Sequence, residues 1–262
     1  MSWLHVDRAD TPLILAFPHG GTGIPDEYLP AFRSRDLALL DTDWHIRRLY
    51  DGLVDATFVW TDISRSVVDC NRDPSGASLY PGQATTGLCP TETFDGAALY
   101  KKGAVPDIEA RRHAYHQPYH AALANEIERL RARHPRVVLY DCHSIRGVVP
   151  RLFDGELPEL NVGTDNGTTC DIALSDAVMA ECGSRWSVLN RRFRGGWTTR
   201  HYGQPEAGVH AIQMETAMRA YLDESPLAEG RAPVWDDGRA AGLRTDLARI
   251  LAAVLDFAKG RP

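Results

Sequence analysis

PLILAF (12–17) runs straight into PHGG (18–21), and the same arrangement recurs at RVVLY (136–140), which runs into DCHS (141–144). Each is a short apolar run, the pattern of a strand buried on both faces, closed by chemically capable polar residues. Ala56–Trp60 (ATFVW), before Thr61-Asp62-Ile63-Ser64-Arg65, and Gly208–Met214, before Glu215-Thr216, repeat it. Leu160–Gly163 and Trp186–Asn190 read as further strands. Between the strands lie helical patterns. Asp36–Leu53 has Leu37, Leu40, Trp44, Leu49 and Leu53 at helical spacing. Asp107–Arg133 is a long amphipathic helical stretch in which Pro118 predicts a kink or a break, Asp171–Glu181 is helical, and Arg239–Lys259 is a closing amphipathic helix. Strands alternating with helices predict one α/β domain over residues 1–262, with helices on both faces of a mainly parallel sheet. Such sheets bind ligands beyond the carboxyl ends of their strands. His19, His143, Arg65 and Glu215 would then meet at one cleft.

A chain of 262 residues, 44% hydrophobic, can bury a large core. Its net charge of -6 argues against nucleic acid as a partner. It permits a small acidic substrate in a local basic pocket. The opening MSWLHVDRADTPLILAF lacks the form of a secretory signal, and no apolar run has the length to span a membrane. Five cysteines, an odd number without a CxxC pair, read as reduced thiols in a cytoplasmic protein. Pro74–Gly103, rich in Gly, Pro, Ser and Thr, reads as a long loop of the kind that forms lids or binding walls. The tail Gly260–Pro262 is expected to fray.

Two histidines at strand ends beside small residues suit a first-row metal, since neutral imidazole is its commonest ligand. A third ligand would come from Asp43 or Asp141, although Asp41 and Asp43 could equally cap a helix. Glu215 is the candidate general base; alternatively it is an ordinary carboxylate at the start of a METAMRAYL helix. Ser64-Arg65 and Asn71-Arg72 offer guanidinium forks and an amide for a dicarboxylate, unless Asp69 and Asp73 pair with them structurally. His116 and His120 are four apart, but no Glu follows His116 and Pro118 intervenes, which favours stacking or hydrogen bonding over a metal. Gly195-Gly196 and Tyr202-Gly203-Gln204-Pro205 mark a loop where backbone can approach a ligand. No phosphate loop and no GxSxG elbow occurs.

PHGGTGIP (18–25), SRSVVDCNRDP (64–74), YHQPYH (115–120), DCHS (141–144), LNVGTDNG (160–167), the GG…HYGQP run (195–205) and HAIQMET (210–216) occur together and in this order. In this the chain resembles the N-formylglutamate amidohydrolases, over roughly residues 12 to 222. The resemblance implies hydrolysis of N-formyl-L-glutamate to formate and L-glutamate, the last step of one histidine-degradation route. It also implies kinship with zinc carboxypeptidase-like hydrolases: a three-layer α/β/α sandwich with a mixed eight-stranded sheet and one zinc ion. His19 and His143 match the two histidine ligands, Glu215 the general base, and Arg65 the oxyanion-steadying residue. Asn71 and Arg72 match the pair that grips the substrate carboxylate, and Ser64 and Tyr202 complete the expected substrate-binding set. Carboxypeptidases take a further ligand from the Glu of HxxE; here that position is Thr22, and Asp43 is the expected replacement.

Two rival readings keep the fold. One is a deacylase for another N-acyl acidic amino acid, such as succinylglutamate, acetylaspartate or formylaspartate. The other is a non-catalytic dicarboxylate-binding protein. Oligomeric state is left open.

Overall fold

Every apolar run singled out as a strand forms one. The computed structural model describes residues 3–78, 82 and 85–261. β1 (Leu4–Asp7), β2 (Leu13–Phe17), β3 (Thr57–Thr61), β4 (Val137–Ile145), β5 (Leu160–Gly163), β6 (Ser187–Leu189) and β7 (Val209–Ala217) form one sheet in the order β1-β3-β2-β4-β7-β5-β6. The central β3, β2, β4 and β7 are mutually parallel, while β1 and β5 run antiparallel to β3 and β7. The sheet is therefore mixed and mainly parallel, with seven strands among the described residues rather than eight. A separate ribbon pairs β8 (Leu222–Asp223) with β9 (Val234–Trp235). β1, of four residues, and the two-residue strands of this ribbon are too short for a pattern to single them out.

β2 explains the layering. Its Leu13, Leu15 and Phe17 share one core with α2 (Ile46–Tyr50), α5 (Ile172–Glu181) and α6 (Asp237–Ala258), joining Leu49, Leu174, Leu247 and Ile250. Its Ile14 and Ala16 face the other way, onto Tyr119, Leu123 and Ile127 of α4 (Gln117–Arg131). A strand covered on both sides has no polar face to offer, which is why LILAF is apolar throughout. Each fully buried Leu or Ile contributes about 1.5–3 kcal/mol. All five cysteines are buried and unpaired. No helix among the described residues is long and apolar enough to cross a membrane.

Three predicted elements are corrected. Asp36–Leu53 is two short helices, α1 (Arg35–Leu39) and α2, not one. The Asp43 N–H donates to the His19 carbonyl instead of continuing a helix, and His45 adopts the left-handed region (φ 56°) before α2 begins. Asp107–Arg133 is α3 (Ile108–Arg111), a π-helical turn (Arg112–His116) and α4, which begins beside Pro118. Proline lacks an N–H to donate, and a wider turn before it absorbs the loss. METAMRAYL is not a helix start: β7 continues through Ala217, pairing His143↔Glu215 and Ile145↔Ala217 with β4, and a 3-10 turn follows. The described part of 74–103 is loop, folded on itself by the bridge Glu92↔Ala98 and tied to the body of the domain by Phe32↔Tyr100. Within it 79–81, 83 and 84 lie outside the described residues, as does Pro262 of the tail.

Candidate active site

Strand periodicity builds the floor of the site. On β4, Val137 and Leu139 face α4; on β7, Val209 and Ala211 do the same. With a side-chain period of two, Asp141, His143, Gln213 and Glu215 continue that face toward the carboxyl ends of the strands. There α4 no longer covers them. His19 arrives from the loop after β2. Gly21 lets that loop lie against the chain after β3, pairing with Ser64, because a Cβ at Gly21 would collide with the Asp62 carbonyl.

The two imidazoles meet. His19 Nδ1 and His143 Nδ1 are 3.1 Å apart. Asp43 Oδ2 lies 3.3 Å from the second and 3.7 Å from the first. All three side chains are buried. Among the described residues His19, Asp43 and His143 are the one group of three arranged to hold a metal ion. Ligand atoms held about 2.0–2.1 Å from a tetrahedral ion lie about 3.3 Å from one another, so the triangle fits a zinc-sized ion with a fourth position open. Asp141 was the other candidate ligand, but it stands behind His143.

The far sides of both rings are engaged by carboxylates that sequence reading missed as partners. Asp69 Oδ1 lies 2.6 Å from His19 Nε2, and Asp141 Oδ2 lies 3.0 Å from His143 Nε2. A carboxylate accepts a proton donor on Nε2 and leaves the Nδ1 lone pair facing inward, the usual outer-shell device of metal sites. Nothing in the local sequence separates Asp69 and Asp141 from capping or surface aspartates.

Electrostatics favour a cation. Asp43, Asp69, Asp141 and Glu215 outnumber Arg65 and Arg72, the two guanidiniums that reach into the cluster. Burial penalises charge on His143, yet Asp141, Asp43 and Glu215 outweigh it and hold its pKa well above the usual imidazole value. Burial likewise opposes ionised Asp43, but His19, His143 and Arg65 keep its pKa below the carboxylate range. Glu215 lacks that compensation. Burial, aided by Asp43 and Asp141 against His143 and Arg65, pushes its carboxyl up to about 8. Gln213 donates to Glu215 Oε2 at 3.2 Å, and its own amide is fixed by accepting the Gly196 N–H at 2.7 Å.

His19, His143 and Glu215 open onto one cavity of about 70 Å³. Its polar wall carries Arg65, Asn71, Arg72 and Arg192, and its apolar wall Phe94, Leu152 and Phe193. Arg65 donates to Asp43 and Asp69, each at 3.0 Å, so its fork is locked. Arg72 is steadied by the Thr86 carbonyl and hydroxyl at 2.9 and 3.0 Å, so the long loop lines the cavity here. Asn71 donates to Asp141 at 3.1 Å and accepts the Thr198 N–H at 2.8 Å, lying flat against Gly196, where any Cβ would strike it.

Two expected substrate contacts are elsewhere. Ser64 is fully buried, its hydroxyl donating to the Ala38 carbonyl at 3.3 Å and accepting the Ser66 N–H, so it closes a turn. Tyr202 does not line the cavity; its hydroxyl donates to the His120 carbonyl at 3.0 Å, on the far side of the Asn71 loop. Arg192 and Gln213 were missed. Arg192 is one of several arginines in RRFRGG, with no local mark of its direction.

The chain is similar to known proteins in sequence and in fold. The sequence model of the family described as N-formylglutamate amidohydrolase matches residues 11–222. An N-formylglutamate deformylase of Pseudomonas aeruginosa is 42% identical over 257 residues, covering 95% of this chain and 96% of the relative. One from Pseudomonas putida is 42% identical over 222 residues, 82% of this chain and 83% of the relative. In fold, the crystal structure of N-formylglutamate amidohydrolase from Ralstonia eutropha JMP134 superposes with a TM-score of 0.82 at 21% identity, with 99% of each chain covered. A gene product of Agrobacterium tumefaciens gives 0.74 at 21%, over 98% of this chain and 96% of that one. The chain belongs to the N-formylglutamate amidohydrolase family.

Proposed function

We propose that this protein hydrolyses N-formyl-L-glutamate to formate and L-glutamate, using one divalent ion, zinc, held by His19, Asp43 and His143. The observation that carries the reading is the triangle of His19 Nδ1, His143 Nδ1 and Asp43 Oδ2, with Glu215 on the same small cavity. A dication there supplies positive charge that polarises an amide carbonyl and makes water a better nucleophile near neutral pH.

The chain's own residues do the rest. Glu215 is the base. Its carboxyl, at about 8 without a metal, is destabilised as an anion by Asp43 and Asp141, and an added dication offsets that repulsion. Once ionised, Glu215 accepts the proton of a water attacking the formyl carbon and returns it to the departing amine nitrogen, so the proton count closes. Gln213 holds the carboxylate in one orientation. Arg65 faces the developing oxyanion with its fork already fixed by Asp43 and Asp69, and a preorganised donor of this kind is worth about 3–4 kcal/mol.

The two carboxylates of the substrate meet the polar wall, at Arg72, with Asn71 beside it, and at Arg192. The reading places the reaction in the cytoplasm, at the end of one histidine-degradation route, on a small acidic metabolite and without nucleic acid or membrane. Elemental analysis of purified protein beside a formate-release assay tests it. One equivalent of zinc per chain with turnover of N-formylglutamate is expected. Activity that survives complete removal of metal sinks the metal assignment, and preference for succinylglutamate or acetylaspartate sinks the substrate assignment.

A further inference from the structure

The YHQPYH run (115–120) is not consumed by the chemistry above, yet its two histidines are buried and hydrogen-bonded. The π-helical turn Arg112–His116 leads into α4 and leaves His116 and His120 on one face, with ring centroids 4.4 Å apart. Both rings point at the same short loop. His116 Nε2 lies 3.0 Å from the Arg72 carbonyl, and His120 Nε2 lies 2.7 Å from the Cys70 carbonyl. A carbonyl only accepts, so each Nε2 carries its proton and donates. Trp197 packs on both rings, and the Tyr202 hydroxyl lies 3.1 Å from His120 Nδ1.

Asn71 stands between the two anchored carbonyls. Its own N–H donates to Asp69 Oδ1 at 2.9 Å, the atom that also engages His19. The loop is thus tied on one side to the candidate metal centre and on the other to the helix. The geometry points to His116 and His120 as positioning residues: two neutral imidazoles that hold the backbone on either side of Asn71 and so present Asn71 and Arg72 to the substrate. Burial lowers the pKa of both rings, which keeps them in the donating neutral form near pH 7. Neither histidine touches the ions or atoms that react; each acts through the loop. The widened turn at 112–116 is what brings the first imidazole into line with the second, in keeping with the frequent use of such turns at functional sites.

This inference rests on the reading of Arg72 as a substrate contact, and the experiment separates the two. Steady-state formate release and metal content are measured for His116→Leu, His120→Leu, the Gln and Asn replacements at each position, Arg72→Ala, and His116→Leu combined with Arg72→Ala. Gln carries an N–H about as far from the backbone as Nε2, whereas Asn falls short. The Leu and Asn variants are expected to raise KM about tenfold, with kcat within threefold of native and one metal per chain. The Gln variants should stay within threefold of native KM. In the Arg72→Ala background, His116→Leu should add less than twofold, because residues acting through one contact are not additive. If the Leu variants do not fold, the Gln–Asn contrast carries the test alone. Native KM in the Leu and Asn variants, or equal KM in Gln and Asn, overturns the inference while leaving Arg72 in place. A native KM for Arg72→Ala removes the substrate-contact reading and the inference with it.

Discussion

The molecule holds two pairs of buried histidines with nearly equal ring spacing, 4.8 Å between His19 and His143 and 4.4 Å between His116 and His120. They differ in what stands behind the rings. The first pair has carboxylates on its outer nitrogens, Asp69 and Asp141, and a third carboxylate, Asp43, at its centre. The second pair faces backbone carbonyls and an aromatic wall. Carboxylates supply negative charge that a cation can satisfy; carbonyls take a hydrogen bond and leave the ring neutral. The pKa directions follow: His143 is raised well above the ordinary value by its acidic neighbours, while His120 is depressed by burial and by His116. Spacing of histidines is therefore a poor guide to a metal site, and the charge behind them a better one.

That contrast can be broken in several places. Asp43→Ala and His143→Ala should cost the most, abolishing bound metal and lowering kcat by about 10⁴-fold; metal analysis with formate release reads this, and a variant that keeps its metal would break the distinction. Glu215→Gln should retain the metal and lose about 10²–10⁴-fold in kcat, as expected for a lost general base. Asp69→Asn and Asp141→Asn sharpen the role of the outer carboxylates, with an expected loss of about 10–100-fold in metal affinity or activity, measured by competition with a chelating dye.

Smaller effects concern stability. In metal-free protein the Glu215 pKa is raised, so its proton is bound more tightly folded than unfolded. The stability this gives is full below the unfolded value near 4.3 and is lost as pH rises through about 8. Chelated protein should therefore melt lower at pH 8.5 than at pH 6, and Glu215→Gln should shrink the difference, with the raised His143 supplying the rest; each kcal/mol is worth about 2–4 °C in a chain of this size. A melting curve that shows the same pH slope in Glu215→Gln breaks the assignment of that slope. His120 gives the opposite sign. Its folded pKa is depressed, so the unfolded chain binds the proton more readily, and stability falls as pH drops below about 6.5. His120→Gln should flatten the slope between pH 7.5 and 5, by a few degrees at most.

The parts of the chain legible in advance share one property: their environment is uniform along the element. LILAF, RVVLY and the VHAI start of β7 are covered on both faces, and their composition records it. His19 and His143 were legible because a polar residue directly after such a run has few other places to go. Asp43 was found as a residue but placed in the wrong element, since the break between α1 and α2 depends on a backbone bond to His19 across 24 positions of chain. The pairing of Asp69 with Arg65 and Arg72 is local and legible, but its contact with His19, and the partners of Asp141 and Arg192, come only from the approach of distant strands and loops. Ser64 and Tyr202 were misplaced for the complementary reason: nearness in sequence to an arginine or a glycine does not fix the direction of a hydroxyl.

His143 and Glu215 face each other across adjacent parallel strands. Their backbone separation is that of neighbouring strands, about 4.7–4.9 Å, and it is enforced by the sheet's own ladder. Arg72, Thr86, Phe94 and Arg192, by contrast, hang from connecting segments. On the proposed function, bond-breaking and recognition are thus carried by parts of unequal tolerance to change. Rewriting the connecting segments could retune which amino acid is accepted after its acyl group is removed, while the paired strands keep ligand and base in register.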